Sequence, residues 1–329
     1  MSESEPRVII VGAGRHGERH LKAWKELGVA VGVFDESASR MDQLYNQYHV
    51  RIFHCLEQAI DWSTFVTIAT PDHLHTPVVL EAIAQGRNVL SEKPATTNLD
   101  EAQTLQAQAE QKGLLFLVGQ NLRFVSTFNR VRELVLNGDP ANILGIHATY
   151  YHDKQKQRAE TPWRNKENLL WGGGVHLVDL VSTIKNVPVI SVFAIAGEIN
   201  QHGLPEEYWV DLKFQSGVLA TLNLAGNKVR NRYGVSLSVF GAQVIYETDD
   251  DEGMRKLGIY EKEGLHDTKE EVIENRFTIP QQVRTVYEYL TGQHPSHKPV
   301  PTLAEIMPVI RILDAAERLI KLQKSIELS

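Results

Sequence analysis

Over the first 120 residues, apolar runs short enough to be strands alternate with stretches of helical periodicity, and this rhythm constrains the fold more than any other feature of the chain. Val8–Val11 precedes a helical pattern near Gly17–Leu27, and Ala30–Phe34 precedes one near Ala38–Tyr48. Phe65–Ala69 is followed by Pro77–Gln85, and Asn88–Ser91 by Leu99–Lys112 and then Leu115–Val118. Strands separated by helices pair in parallel, because the helix returns the chain across the sheet before the next strand begins. Beyond about residue 140 the pattern changes to strands separated by turns, with candidates at Asn142–Tyr151, Val189–Ala196, Tyr208–Phe214, Val218–Leu224, Ser236–Phe240 and Lys256–Glu261. Asp211–Phe214, Gln215-Ser216-Gly217 and Val218–Ala220 read as a hairpin with a glycine in its turn. Helical patterns occur at Thr127–Leu136, His176–Lys185, Gln281–Leu290 and Leu303–Gln323.

The expectation is therefore an α/β chain of two domains: a doubly wound parallel sheet over residues 1–122, and an α+β domain with a mostly antiparallel open sheet over residues 123–329. A length of 329 residues suits two cores rather than one, and the helix over 303–323 is placed to pack back on the first domain. Lys and Arg number 34 against 41 Asp and Glu, a net charge of −7, with no dense basic run to follow a phosphate backbone or an anionic bilayer. Nucleic acid and membrane are thus not expected partners. Cys55 is the single cysteine, which excludes an internal disulfide and fits a reducing compartment. Met1–Pro6 is short and acidic where an export signal needs a basic start and an apolar stretch, so a cytoplasmic location is expected.

Arg7–Val11 runs straight into Gly12-Ala13-Gly14-Arg15-His16-Gly17 and then a helical pattern. Glycines in these places allow a tight turn, close approach of a pyrophosphate to backbone N–H groups, and close packing of helix on strand. Such a phosphate rests at the positive end of the helix. Asp35 ends the next strand, about 20 residues on, where the Rossmann fingerprint has an acid for the adenine ribose. A carboxylate there accepts from the ribose hydroxyls and repels a 2′-phosphate, so NAD is expected over NADP, although Ser37 and Arg40 lie near enough to soften the preference.

Ala69-Thr70-Pro71 with His75, and Glu92-Lys93-Pro94, end the later strands, where loops of such a sheet line the ligand crevice. By residue type alone Lys93 reads as a surface charge and His176 as a packed core histidine. In order and spacing, however, Gly12–His20, Ala69–Pro71 with His75, Glu92–Pro94, Asn121–Phe124 and His176–Asp179 together resemble the family of glucose–fructose oxidoreductases and inositol dehydrogenases. The resemblance implies an NAD-dependent dehydrogenase of a secondary alcohol on a sugar, sugar derivative or cyclitol. It implies that Lys93 touches the nicotinamide ribose and the reacting hydroxyl, and that His176 exchanges the hydroxyl proton. Arg123, Trp163, Arg164 and Asp179 are implied on the substrate side; Gly12, Gly14, Arg15, His16, Gly17, Asp35, Thr70, Pro71, His75, Glu92, Lys93 and Asn121 on the cofactor side. No cluster has metal-ligand spacing, and none is expected to bind one.

One departure stands out. Relatives often carry an aspartate four residues before the histidine, where this chain has Gly172 in the run Trp171-Gly172-Gly173-Gly174; Val125 also replaces a common proline. The run reads as a glycine-rich loop that has lost the acid, or one shifted by a deletion. That leaves open a dinucleotide-binding regulatory protein without turnover, and a reductase of a non-sugar substrate such as a linear tetrapyrrole. A homodimer or homotetramer is expected through the open face of the second sheet, with Trp209, Leu222 and Leu224 among its apolar residues.

Overall fold

The computed structural model describes residues 6–137, 143–154, 158–159, 161–185, 187–226, 234–242, 244–251, 254–261, 264–271, 278–293 and 300–322. Two compact units emerge, Met1–Asn121 with Phe277–Met307, and Leu122–Arg276 with Pro308–Ser329. The sequence places residues 123–329 in the second domain, with the helix over 303–323 able to pack back on the first; residues 277–307 group with the first unit and 308–329 with the second. Two contacts show why: the Val118 amide donates to the Pro301 carbonyl at 2.8 Å, and Leu117 bridges Thr302.

The first unit contains β1 (Arg7–Val11), α1 (Arg15–Glu26), β2 (Ala30–Phe34), α2 (Ala38–Tyr48), β3 (Arg51–Ile52), α3 (Leu56–Trp62), β4 (Phe65–Ile68), α4 (His75–Ala84), β5 (Asn88–Glu92), α5 (Leu99–Gln111) and β6 (Phe116–Gly119). The strands form one parallel sheet in the order β3-β2-β1-β4-β5-β6. Its central strands read as continuous apolar runs because both faces are covered: Val8, Ile9, Ile10, Phe65, Val66 and Ile68 are all buried. α1 packs its Leu21 and Trp24 inward, with the Trp24 indole donating to the Thr67 hydroxyl at 3.2 Å and its ring 5.7 Å from Phe65. The order reverses between β1 and β4, the switch point at whose carboxyl ends ligands bind in sheets of this kind. A further helix, Ile279–Leu290, packs on α1.

The second unit is built on β7 (Ile143–Tyr151), β8 (Val189–Ala196), β9 (Glu207–Phe214), β10 (Leu219–Ala225), β11 (Gly234–Gly241), β12 (Val244–Asp251), β13 (Met254–Glu261) and β14 (Gly264–Glu271). These run in the order β14-β13-β12-β11-β7-β10-β9-β8, antiparallel throughout except for the parallel pair β7 and β10. The predicted hairpin is present as β9 and β10, turning at Gly217 with φ +87°. Helices Gly174–Lys185 and Ser126–Asn137 (α6) pack together, and the former lies on β7 and β10.

Trp209 is 42% exposed, with Leu144, Ile190, Phe193, Ile195 and Leu219 also exposed on β7 to β10, whereas Leu222 and Leu224 are fully buried. The expectation for those two leucines was wrong by one residue of register. Trp209 pairs with Asn223, so its face carries Asn223 and Thr221, and Leu222 and Leu224, at the alternate positions, point to the helix-covered side. Among the described residues, no helix is long and apolar enough to cross a membrane, and no group of three His, Cys, Asp or Glu could hold a metal ion.

Candidate dinucleotide and substrate sites

Gly12, Gly14 and Gly17 differ in what they allow. Gly12 has φ +97°, and a Cβ there would stand 2.7 Å from the Ala69 carbonyl, so only glycine fits the turn against the end of β4. A Cβ on Gly17 would collide with the Gly12 carbonyl oxygen. Gly14 has ordinary extended geometry at the amino end of α1, is exposed, and has open space where its side chain would be. Two of the glycines are thus required by the fold, and the third leaves an open cradle in front of the helix N-terminus, where a pyrophosphate can reach the backbone N–H groups. NAD fits this cradle.

Asp35 lies beside it. Its Oδ2 accepts from the Ala13 amide at 2.6 Å and its Oδ1 from the Ser37 amide at 2.8 Å, which fixes the carboxylate at the end of β2. Arg40 is drawn away from a cationic role there. Its Nε donates to the Ala13 carbonyl at 2.7 Å, and its Nη2 to Glu18 Oε2 at 2.5 Å. Partial burial would raise the Glu18 carboxyl, but hydrogen bonds from Tyr48, Arg40 and Lys22 outweigh it and hold the group down to about 2. Sequence reasoning missed Glu18 because two of its partners, Arg40 and Tyr48, come from α2.

The cofactor selectivity follows. NAD should bind at least about tenfold more tightly than NADP, since even ~1.4 kcal/mol of like-charge repulsion between Asp35 and a 2′-phosphate gives that factor. Asp35→Ser combined with Glu18→Ala, which frees Arg40, should close or reverse the gap in calorimetric titrations. Equal affinities in the unaltered protein would contradict the role given to Asp35.

At the carboxyl end of β5, Glu92 is buried and accepts from His20 Nε2 at 2.7 Å, with His16 Nδ1 4.0 Å away. Burial would raise its pKa, but the His20 hydrogen bond and the charges of His16, His20 and Lys93 hold it down to about 2. Desolvation, with Arg19 and Lys93 nearby, lowers His16 to about 4 despite the pull of Glu92. Lys93 follows, half-buried. His75, buried at the start of α4, has Nδ1 2.7 Å from the Pro94 carbonyl and Nε2 2.9 Å from the Thr70 carbonyl. It ties the Thr70-Pro71 loop to the Lys93-Pro94 loop. The Thr70 hydroxyl, the Gln120 amide and the Gln282 amide are buried without a protein partner. A Cβ on Gly119 would lie 3.4 Å from Gln282 Nε2, so this helix residue reaches the same strand ends. Unpartnered buried donors and acceptors at the carboxyl ends of parallel strands, here β4 and the edge strand β6, mark a place that binds something polar. Arg15 is exposed, and Pro71 and Asn121 half-buried, around the same strand ends.

In the second unit, His176 is buried on the helix Gly174–Lys185, its ring stacked at 6.3 Å on Tyr150 of β7. Asp179, one turn along, receives two hydrogen bonds from Arg123, Nε to Oδ2 at 2.8 Å and Nη2 to Oδ1 at 2.6 Å. The two residues assigned separately to substrate are therefore a bidentate pair. Trp163 and Arg164 also belong together, with the guanidinium 4.6 Å from the indole centroid. Arg164 continues to Glu167, Nη1 to Oε2 at 2.7 Å, and Glu167 to Lys154 at 3.6 Å. Nothing in the sequence marked Tyr150, Lys154 or Glu167, since Glu167 meets Lys154 only through tertiary packing.

Comparison with known proteins settles the ancestry. Residues 6–120 match the model described as the oxidoreductase family with NAD-binding Rossmann fold, and residues 128–247 the GFO/IDH/MocA C-terminal domain. The chain belongs to the GFO/IDH/MocA oxidoreductase family. Among its relatives, glucose-6-phosphate 3-dehydrogenase of Bacillus subtilis is 28% identical over 53% of this chain, a match that spans 52% of that relative's length. A 4-carboxy-2-hydroxymuconate-6-semialdehyde dehydrogenase of Sphingobium is 25% identical, covering 67% of this chain and 72% of the other. The WlbA dehydrogenase of Bordetella pertussis, solved with NADH and UDP-GlcNAcA, superimposes with a TM-score of 0.82 over 99% of both chains at 18% identity. This GFO/IDH/MocA chain thus has the family's fold over its whole length.

Proposed function

We propose that this family member is an NAD-dependent dehydrogenase acting on a secondary alcohol of a sugar, a sugar derivative or a cyclitol. The reading is carried by the dinucleotide cradle of the first unit, with Lys93 directly after β5; within the second unit, a buried histidine stacked on Tyr150 supports it. Bound at the cradle, NAD supplies a nicotinamide ring that accepts hydride. Lys93 donates a hydrogen bond to the substrate hydroxyl and stabilises the oxygen as it gains negative character. His176 takes the hydroxyl proton at a ring nitrogen as the carbinol C–H bond breaks and the carbonyl forms, and returns it in the reverse direction. An imidazole suits this because its ordinary pKa lies near working pH, where a general acid–base group is most effective. Asp179 and Arg123 hold each other in place beside it or share the substrate's hydroxyls.

The sugar class is supported by the relatives named glucose-6-phosphate 3-dehydrogenase and by the bound UDP-GlcNAcA in the WlbA dehydrogenase. The muconate semialdehyde relative favours a non-sugar substrate as the second reading. Incubating the protein with NAD, or with NADP, and a panel of sugars, inositols, sugar acids and unsaturated carboxylic semialdehydes separates them at the reduced-nicotinamide absorbance band. A sugar or cyclitol should respond. A protein that binds NAD and turns over nothing is the regulator instead.

A cytoplasmic location is part of the same proposal, resting on the single cysteine. So is self-association: Phe193, Ile195 and Trp209 are exposed together on one face of β8 and β9, where Ile195 pairs with Trp209, and a second copy would cover them. Sedimentation at micromolar concentration should give a dimer or tetramer, and Trp209→Lys with Phe193→Lys should shift it to smaller species. A monomer in the unaltered protein would contradict the assignment.

A further inference from the structure

Gly172 is buried, and the space its side chain would take is already filled. A Cβ there would stand 2.6 Å from Glu167 Oε1. The Glu167 carboxylate is 8% exposed and is held in that place by Arg164 Nη1 at 2.7 Å and by Lys154 Nζ at 3.6 Å, the lysine itself 5% exposed. Asn168 fixes the approach: its side chain accepts from the Leu170 amide at 2.9 Å, capping the short helix Leu169–Gly172, and from the Tyr208 hydroxyl at 3.0 Å. Gly173 makes a matching space, since a Cβ there would lie 2.6 Å from the Tyr150 ring. That ring stacks on His152 at 3.7 Å and on His176 at 6.3 Å, with Lys154 Nζ 6.0 Å from its centroid. The glycine run is therefore the cavity into which Glu167 and Tyr150 insert, directly before the helix that carries His176.

We propose that Glu167 is a positioning residue for the reaction: it supplies, from position 167, the buried carboxylate at the spot where residue 172 has no side chain, and it acts on His176 through Lys154 and Tyr150. This rests on the proposed role of His176 as proton carrier. A buried carboxylate balanced by two cations sets the field around the Tyr150 stack. Without it, Lys154 and Arg164 lose a carboxylate partner, and the added net positive charge near the stack disfavours a protonated His176. Among the described residues, the other titratable or charged groups near this array are His152 on the Tyr150 ring, the Glu206–Arg158 pair, whose carboxylate meets Lys154 at Gly226, and the Arg123–Asp179 pair one helical turn from His176.

The test uses the full-length protein and three variants: Glu167→Gln, Gly172→Asp, and Glu167→Ala combined with Gly172→Asp. Glu167→Gln keeps the shape and removes the charge. It should lower kcat at least about tenfold, short of the order of 10² expected for losing the proton carrier itself, and should move the His176 midpoint to lower pH. The midpoint is read by NMR of the ring Cε1–H, assigned with His176→Asn, and needs no substrate. Gly172→Asp alone should be less stable and less active than the parent, because two carboxylates compete for one space. The double variant, whose aspartate has the space to itself, should recover activity above both Gly172→Asp and Glu167→Ala. A folded Glu167→Gln protein with unchanged kcat and an unchanged His176 midpoint would overturn the proposal, as would a double variant no better than Glu167→Ala. If the parent turns over nothing on the panel, the dehydrogenase reading fails. The NMR midpoint then still decides whether Glu167 acts on His176.

Discussion

Lys93→Met and His176→Ala are each expected to lower turnover by on the order of 10² or more, the usual scale for a positioned proton-transfer group. The two should differ in their side effects. Lys93 ends β5 in the unit that carries the glycine turn and Asp35, so its loss should also weaken NAD, whose nicotinamide ribose it is proposed to touch. His176 belongs to the other unit, so His176→Ala should leave NAD affinity nearly unchanged. Its side chain is buried against Tyr150, and truncation leaves a cavity that costs stability. Circular dichroism at the assay temperature must therefore accompany the rates. Steady-state kinetics and calorimetric titration check the pair together. An active-site assignment fails if either folded variant keeps full kcat on the responding substrate.

Gly14→Val should abolish measurable NAD binding, raising Kd by on the order of 10² or more, while leaving the melting temperature close to that of the parent. The expectation comes from the difference among the three glycines. Gly14 has extended backbone and open space at its Cβ, so valine is tolerated by the folded chain and clashes only with a ligand in the cradle. Gly17→Val is the contrasting control. Its side chain would run into the Gly12 carbonyl, a backbone collision the fold cannot relieve cheaply, and the cost of overpacking is typically ~1–3 kcal/mol or more. A thermal scan of the apo proteins separates the two variants before any ligand is added. Retained NAD affinity in Gly14→Val would remove the pyrophosphate from this turn.

Where the site rests on local geometry, the sequence shows it. Strand, three glycines, helix and Asp35 lie within one supersecondary unit, and their positions follow from the order of residues alone. Contacts made through tertiary packing leave no such trace. The His20–Glu92 hydrogen bond joins residues 72 apart, and Arg123 meets Asp179 across 56. Glu167 is the sharpest case. The glycine run reads as a loop that has lost an acid, and only the packing shows a carboxylate from another position filling the gap. The fold divides in the same way. Apolar alternation exposed β8 to β10, but β12 and β14 escaped: Val244–Asp251 ends in acids and Gly264–Glu271 lacks a buried face in its sequence pattern. Such strands are held by their neighbours in the sheet rather than by propensity.

The central claim is direct hydride transfer from a carbinol carbon, and isotope labelling tests it most directly. Sugars, inositols and sugar acids carrying deuterium at their carbinol carbons are incubated with the protein and NAD, and the recovered reduced dinucleotide is weighed by mass spectrometry. One deuterium should appear in it with at least one of these compounds, and should accumulate on the order of 10² more slowly when Lys93→Met or His176→Ala replaces the parent. Tight NAD binding with no deuterium in the dinucleotide across the whole set would contradict the account.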